Sequence, residues 1–184
     1  MKFGQALVWL LSAALFVGCE RKPIEVTPSG TNLSIPATAP TFVPPPLPTQ
    51  PQPKLETIKI FLGAEELNAE MALTAEQQRI GMMHRTNHTD SDAMLFVFPY
   101  PYRASFWMKN CPESLSAAYI SPEGVIEEIH HLEKQDTNSV VAGTENIQFV
   151  LEVKDGWFQR HNVKTGDLIR TQVGPLPKAF FEKR

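Results

Sequence analysis

The sequence LSAAYISPEGVIEEIHHL, residues 115–132, consists of two strand-like runs on either side of a turn signal. LSAAYIS ends before Pro122, and VIEEIHHL begins after Gly124. A turn of this composition between two strand-like runs is typical of a β-hairpin. The stretch therefore predicts antiparallel strand pairing, and we expect a β-rich domain to be built around it.

Other strand-like runs lie on both sides of this hairpin. In TIKIFL, residues 57–62, the side chains of Ile58, Ile60 and Leu62 share one face at a period of two, which predicts a half-buried strand. The remaining candidates are residues 66–72, residues 94–98, the SFWMKN run at 105–110, residues 149–154 and residues 168–171.

Two short helices are expected beside these strands. TAEQ, residues 74–77, has the form of a capping box and predicts a helix over residues 75–83. DGW, residues 155–157, opens the second helix. About six to seven short strands with two short helices describe a β-rich α+β fold, a compact distorted barrel or sandwich.

The amino terminus has the features of an export signal. Lys2 is followed by an apolar run over residues 3–17, which is shorter than the roughly 20 residues that span a bilayer, so we predict a signal peptide over residues 1–18. The ending LFVGC resembles a bacterial lipobox. This resemblance implies that Cys19 carries lipid and that the protein is anchored to a membrane of the cell envelope, facing the periplasm or in the outer membrane. An ordinary signal peptide with an incidental Cys19 is the alternative.

A proline-rich segment follows the predicted lipidation site. Residues 20–54 contain ten of the sixteen prolines, and such a segment forms neither helices nor sheet ladders and buries little apolar area. We therefore expect a disordered tether over residues 19–54, a folded domain over residues 55–175 and a carboxyl-terminal tail over residues 176–184. If Cys19 carries lipid, Cys111 has no disulfide partner, because the chain has two cysteines.

The charge of the folded part bears on its partners. Residues 55–184 contain 13 Lys and Arg against 18 Asp and Glu, which gives a formal charge of −5. A nucleic-acid-binding protein needs a basic surface that displaces counterions, and the sequence has no basic cluster. We therefore predict that the partners do not include nucleic acid.

The order of several short motifs resembles a known family. TAEQQRIGMMHR, MLFVF, FWMKN, the hairpin, VLEVKDG and TGD follow one another as they do in DUF192, a widespread and largely uncharacterised domain, over residues 58–170. The family usually has Leu, Gly and Thr where this chain has Met82, Ala93 and Cys111, and Pro-Leu-Asp where this chain has SLS at 114–116. The resemblance implies a domain of unknown biochemical function. The missing carboxylate at Ser116 favours binding over catalysis.

The SFWMKN run provides the candidate binding residues. If this run is a strand, Trp107 and Lys109 share a face, and an indole beside an ammonium and the Asn110 amide suits stacking on a planar or sugar-like ligand. Arg85 and Glu152 could supply charged groups beside them. We therefore predict that Arg85, Trp107, Lys109, Asn110 and Glu152 bind an envelope glycan or peptide, without a cofactor.

Two other functions compete with this hypothesis. Sulfur and imidazole ligands select copper(I), although methionine more often fills a core. A hydrolase-like enzyme could use Cys111 with a histidine base, or Glu152 with Asp167, although the TGD turn explains Asp167 without chemistry. The candidate soft ligands are Met82, Met83, His84, His88, Met94, Met108 and Cys111.

Overall fold

The structure, a computed structural model, describes residues 45–182. These residues form ten strands and three short helices, which confirms the predicted β-rich α+β class. The strands are β1 (Thr57–Leu62), β2 (Glu65–Ala72), β3 (Asp92–Tyr102), β4 (Ser105–Phe106), β5 (Leu115–Ile120), β6 (Ile126–Leu132), β7 (Val140–Val141), β8 (Ile147–Lys154), β9 (Ile169–Thr171) and β10 (Gly174–Pro175). The helices are α1 (Ala75–Ile80), α2 (Trp157–Arg160) and α3 (Leu176–Phe180).

Several predictions about the amino terminus fall outside this range. The signal peptide, Cys19 and residues 19–44 of the tether are not among the described residues. Across residues 45–182, the helices are all too short or too polar to cross a membrane.

The hairpin predicted over residues 115–132 is present as β5 and β6. Leu115 pairs with Leu132 at its open end. At its closed end the Ser121 amide donates to the Val125 carbonyl, and the Gly124 amide donates to the Ser121 carbonyl, both at 2.9 Å. Gly124 has a φ of 88°, and a Cβ there would lie 3.1 Å from a backbone oxygen, so the turn requires glycine.

Eight strands form one sheet in the order β10-β9-β1-β2-β3-β8-β5-β6. β2 and β3 are parallel, and the other neighbouring pairs are antiparallel. The sheet curls, as two contacts between its distant strands show. Val125 forms an isolated bridge with Leu168, and the Ile126 amide donates to the Asp167 carbonyl at 2.9 Å. The result is a distorted sheet that does not close into a barrel. It is consistent with the β-rich α+β fold that the sequence predicted.

Each face of the sheet has its own hydrophobic core, because side chains alternate along the strands. On β8, Phe149 and Leu151 pack into the first core, whereas Val150 packs into the second. Glu152 shares the side of Val150 and therefore faces the second core. Among the members of that core are Met82, Met83, Met94, Phe96, Met108, Cys111, Ala117 and Tyr119.

Helix α1 lies over the second core. Its predicted capping box is present: Thr74 Oγ1 accepts from the Gln77 amide at 3.2 Å, and Gln77 Oε1 accepts from the Thr74 amide at 2.9 Å. The helix ends at Ile80, so the predicted extension to Met83 is wrong. Gly81 has φ 50° and ψ −128°, a conformation that glycine adopts readily and that stops the helix.

The SFWMKN run is not the continuous strand that we predicted. Ser105 and Phe106 pair with β7, but the chain then turns, and the Cys111 amide donates to the Met108 carbonyl at 3.0 Å. Asn110 has a φ of 61°, in the left-handed region that asparagine tolerates better than most residues. The alternation of a strand therefore does not set the directions of Trp107 and Lys109.

Residues assigned to the tether and to the tail contact the domain at both ends. Leu47 packs against the second core, and Gln52 Nε2 donates to the Gly81 carbonyl at 2.9 Å. At the other end, Leu176 is fully buried in the first core and Phe180 packs against that core. The folded part thus extends beyond residues 55–175 on both sides.

Candidate functional site

A cleft of about 310 Å³ lies between α1 and the segment that carries β4 and Trp107. We call it the aromatic cleft, because five of its lining side chains are aromatic. Its lining includes Gln78, Arg79, Phe96, Phe98, Tyr102, Ser105, Phe106, Trp107, Cys111 and Glu152. A concave, mostly apolar site with a few polar groups is the usual form of a small-ligand site.

The aromatic wall of the cleft is held by edge-to-face contacts. The ring of Phe106 meets that of Phe96 at a centroid distance of 5.0 Å and that of Phe98 at 6.4 Å. Phe98 in turn contacts Tyr102 at 4.7 Å. Such contacts favour one relative orientation of the rings, so this wall is preformed.

Trp107 stands at the rim of the cleft. It is 40% exposed, and Lys109 Nζ lies 5.3 Å from the centroid of its indole. The following turn is fixed from two sides, because the Met108 amide donates to the Asp136 carbonyl and the His84 amide donates to the Asn110 carbonyl, both at 2.8 Å. The Asn110 backbone therefore holds the turn, and its side chain does not line the cleft.

Glu152 is the buried acidic group of the aromatic cleft. It is 4% exposed, and its partners on the neighbouring strands are the apolar residues Met94 and Ala117. No group among residues 45–182 donates a hydrogen bond to its carboxyl, and burial raises its pKa to about 8. The cleft thus contains a carboxyl group that burial desolvates and that the described part of the chain does not pair.

Cys111 also lines this cleft but is unsuited to nucleophilic chemistry. It is 6% exposed, and burial, with a smaller contribution from the charge of Glu152, raises the pKa of its thiol to about 12. A thiol attacks as its thiolate, which is scarce at neutral pH when the pKa is this high.

Arg85 lies in a different cavity from Trp107 and Glu152. This second cavity, of about 310 Å³, is lined by Glu70, His84 and His88 among others. Arg85 donates to both carboxylate oxygens of Glu70, at 2.6 and 2.9 Å. Burial raises the pKa of Glu70, but the hydrogen bonds and charge of Arg85, with the Leu55 amide, leave it below its usual value. Arg85 is therefore committed to a mostly buried ion pair.

Ser116, the position at which the resemblance implied a missing acid, lies away from the cleft. Its neighbours Leu115 and Ala117 face the second core, so its side chain is on the opposite face of the sheet. Ser116 Oγ accepts from the Gly156 amide at 2.9 Å and donates to Asp155 Oδ1 at 3.2 Å. The loss of this carboxylate therefore leaves the aromatic cleft unchanged.

The soft ligands of the copper hypothesis do not form one exposed set. The sulfurs of Met82, Met83, Met94, Met108 and Cys111 belong to buried side chains of the second core. The histidines are engaged elsewhere, with His84 Nε2 at 2.8 Å from the Pro48 carbonyl and His88 Nδ1 at 2.8 Å from Glu113 Oε2. Within the described part of the chain, no group of three or more His, Cys, Asp or Glu side chains could hold a metal ion.

The second catalytic pair considered above is also separated. Asp167 Oδ2 accepts from the Lys164 amide at 2.8 Å, as expected of a turn residue. It lines a third cavity, whereas Glu152 lines the aromatic cleft. This arrangement leaves Glu152 without Asp167 as an acid or base partner.

Several cleft residues were not singled out from the sequence. Phe98 and Tyr102 come from the long β3, and Gln78 and Arg79 come from α1. Gln78 Nε2 donates to the Val97 carbonyl at 2.7 Å, which ties α1 to the end of β3. The alternation of aromatic residues through FVFPYPY was the available signal, because Phe96, Phe98 and Tyr102 have the same parity.

The fold is similar to two solved structures, and the sequence matches one family. A structure from Sinorhizobium meliloti 1021, described as a proposed transcription regulator, is 26% identical with a TM-score of 0.58, and the match covers 63% of this chain and 92% of that one. A protein of unknown function from Novosphingobium aromaticivorans DSM 12444 is 26% identical with a TM-score of 0.60, covering 63% and 86%. No curated protein matches the chain. The model of DUF192, described as an uncharacterized ACR, matches residues 58–171. This match spans more than half of the chain, as the motif order predicted, and the chain therefore belongs to the DUF192 family.

Proposed function

We propose that this domain is a non-catalytic binding module of the bacterial cell envelope and that it takes its ligand in the aromatic cleft. The observation that carries the proposal is Glu152, a carboxyl group in an aromatic cleft that burial desolvates and that receives no hydrogen bond from residues 45–182. A buried polar group without a partner costs free energy, so a ligand that supplies the partner gains affinity.

The kind of ligand is suggested by the rim. The half-exposed indole of Trp107 offers a flat face on which a sugar ring or a peptide side chain can stack. The polar atoms of Arg79, Ser105 and Glu152 lie along the same cleft and could orient such a ligand. An envelope glycan or a peptide fits both features.

The proposed location in the cell envelope is based on the first nineteen residues. The export signal and the lipobox-like LFVGC favour a protein tethered to a membrane through lipid on Cys19. Labelling cells with a fatty-acid analogue should mark the wild-type protein and leave Cys19→Ala unmarked. Equal labelling of both proteins, or of neither, would contradict the lipid anchor.

Catalysis and nucleic-acid binding have less support. A hydrolase would need a nucleophile, and the raised pKa of Cys111 disfavours that role. The Sinorhizobium protein is described as a proposed transcription regulator, and regulators that act on DNA directly need a basic surface. The formal charge of −5 over residues 55–184 has the wrong sign for binding phosphates.

The proposal is tested by titrating the full chain with soluble muropeptides, the glycan–peptide fragments of the cell wall, and following indole fluorescence. A ligand in the cleft should change the emission of Trp107, and Trp107→Ala should abolish the response. Tyr100→Ala is the matched control, because Tyr100 is 78% exposed and does not line the cleft. An unchanged response in Trp107→Ala, or no binding by the wild-type protein, would contradict the proposal.

A further inference from the structure

We infer that the aromatic cleft binds a primary ammonium group carried on an apolar stem, with the carboxylate of Glu152 as its counter-ion. This inference rests on the proposed function and defines the class of its ligand. It concerns a chemistry that a free amine and a lysine side chain share.

Glu152 lacks a cationic partner among residues 45–182. Arg79 is the one Arg or Lys that lines the cleft within the described residues, and it donates to both carboxylate oxygens of Glu76 at 2.8 and 2.7 Å. Lys109 lies over Trp107 at the rim. Neither forms an ion pair with Glu152, so the described part of the fold leaves this carboxyl without a positive partner.

The aromatic walls of the cleft suit a cation. The faces of aromatic rings carry partial negative charge and attract cations, most strongly where water is excluded. Phe96, Phe106 and Trp107 line the cleft that contains Glu152. The position of Lys109 Nζ, 5.3 Å from the Trp107 centroid, shows that this indole already accepts an ammonium group. A cationic head and an apolar stem therefore match the carboxyl and the rings respectively.

Protonation distinguishes this ligand from a neutral one. With a pKa of about 8, Glu152 is mostly protonated at pH 7, and it must release its proton to the buffer before it can pair with an ammonium group. Affinity for an amine should therefore rise roughly 50-fold from pH 6 to pH 8, with release of about 0.9 proton per ligand at pH 7. A neutral hydroxylated ligand gains no ion pair when the carboxyl ionises, so its affinity should not show this roughly 50-fold rise between pH 6 and pH 8.

The surrounding groups leave Glu152 as the main titrating group. Burial raises the pKa values of Tyr102 and Cys111 to about 12. Burial, with a smaller contribution from the charge of Glu152, also raises the pKa of Tyr119. The hydrogen bonds that Arg79 donates to the Glu76 carboxylate raise the pKa of Arg79, which stays charged. His130 on β6 also lies beside this core, because its ring contacts that of Tyr119 at 4.7 Å and its Nε2 is 2.8 Å from Glu128 Oε2. The variant His130→Gln serves as a control for this side chain.

The experiment is calorimetric titration of the full chain with 2-phenylethylamine, its neutral analogue 2-phenylethanol and N-acetyl-lysine methylamide. The two amines distinguish a free aromatic amine from a lysine side chain. Each is measured at pH 6, 7 and 8, and at pH 7 in buffers of different ionisation enthalpy, which reports proton release.

The inference predicts that at least one amine binds about 50-fold more tightly at pH 8 than at pH 6 and that 2-phenylethanol binds more weakly than 2-phenylethylamine. Glu152→Gln should abolish the pH dependence and weaken amine binding. His130→Gln and the exposed-site variant Glu127→Gln should retain both.

Binding of the alcohol without the amines, or amine binding that Glu152→Gln leaves unchanged, would overturn the inference. If the muropeptides bind in a manner that requires Trp107 while both amines fail, the ammonium assignment fails and the binding module stands. If neither amines nor muropeptides bind, the proposed function fails as well.

Discussion

Replacing Glu152 by Gln should stabilise the domain at neutral pH, and most of the gain should disappear in mild acid. Glu152 is 4% exposed, and burial raises its pKa to about 8 from an ordinary value of 4.5. Folding at pH 7 therefore requires the ionised carboxylate of the unfolded chain to take up a proton. Gln has nearly the same shape as the protonated acid and needs no proton, so the variant avoids this cost.

The size of the effect follows from the two pKa values. Because the folded pKa is raised, stability falls as the pH rises from 4.5 to 8, by about 1.4 kcal/mol per pH unit, and levels off above that range. The cost to the wild-type protein is about 1 kcal/mol at pH 5 and about 3 kcal/mol at pH 7. The advantage of Glu152→Gln should therefore grow by roughly 2.5 kcal/mol between these pH values.

Urea unfolding of the full chain at pH 5, 6 and 7, followed by circular dichroism, measures the free energy of unfolding of both proteins. The matched control is Glu127→Gln, because Glu127 is exposed on β6, two strands from β8 in the same sheet. Its difference from the wild-type protein should vary little with pH. If Glu152→Gln also differs from the wild-type protein by a constant amount, the pKa of Glu152 is not raised in the folded state, and the reasoning is refuted.

Two further predictions concern Cys111 and the carboxyl-terminal helix. At pH 7.5 the Cys111 thiol should react with iodoacetamide at least roughly a hundred-fold more slowly than free cysteine, because its buried thiol has a pKa of about 12; alkylation within minutes would contradict this. Leu176→Ala should lower the free energy of unfolding by about 3 kcal/mol, because Leu176 is fully buried. Lys178→Ala on the exposed side of α3 should change it by less than about 0.5 kcal/mol, and equal effects of the two variants would show that α3 does not stabilise the fold.

The sequence predicted the elements whose determinants are local. The alternation in residues 57–62 predicted β1 with its observed bounds, and the Pro and Gly turn predicted the β5–β6 hairpin. TAEQ predicted the start of α1, because its two capping hydrogen bonds involve residues three apart. Such signals need no knowledge of distant partners.

The elements that the sequence missed depend on tertiary contacts or contain unusual residues. Pro99 and Pro101 concealed the continuation of β3 to Tyr102, because proline is rare inside strands; an irregular register between Val97 and Tyr102 accommodates them. Helix α3 is only five residues long and has little local signal, and the burial of Leu176 places it on the first core.

The candidate site was predicted in part. Trp107 and Glu152 line one cleft, although 45 positions of sequence separate them, because β8 and the turn after β4 meet over the second core. Arg85 does not line this cleft, because it forms an ion pair with Glu70 on β2. The periodicity of the sequence could not identify that partner. The sequence also did not predict that Glu152 is buried, because a carboxylate in a strand is ordinarily expected at the surface.

The contacts made by the described residues that precede β1 have a mechanical consequence. His84 Nε2 is 2.8 Å from the Pro48 carbonyl, and Gln52 Nε2 donates to the carbonyls of Gln77 and Gly81 at 3.2 and 2.9 Å. A pull on the chain ahead of residue 45 would therefore load the carboxyl end of α1 before it loads the large sheet. Since α1 is one wall of the aromatic cleft, tension along the chain and occupancy of the cleft act on the same helix.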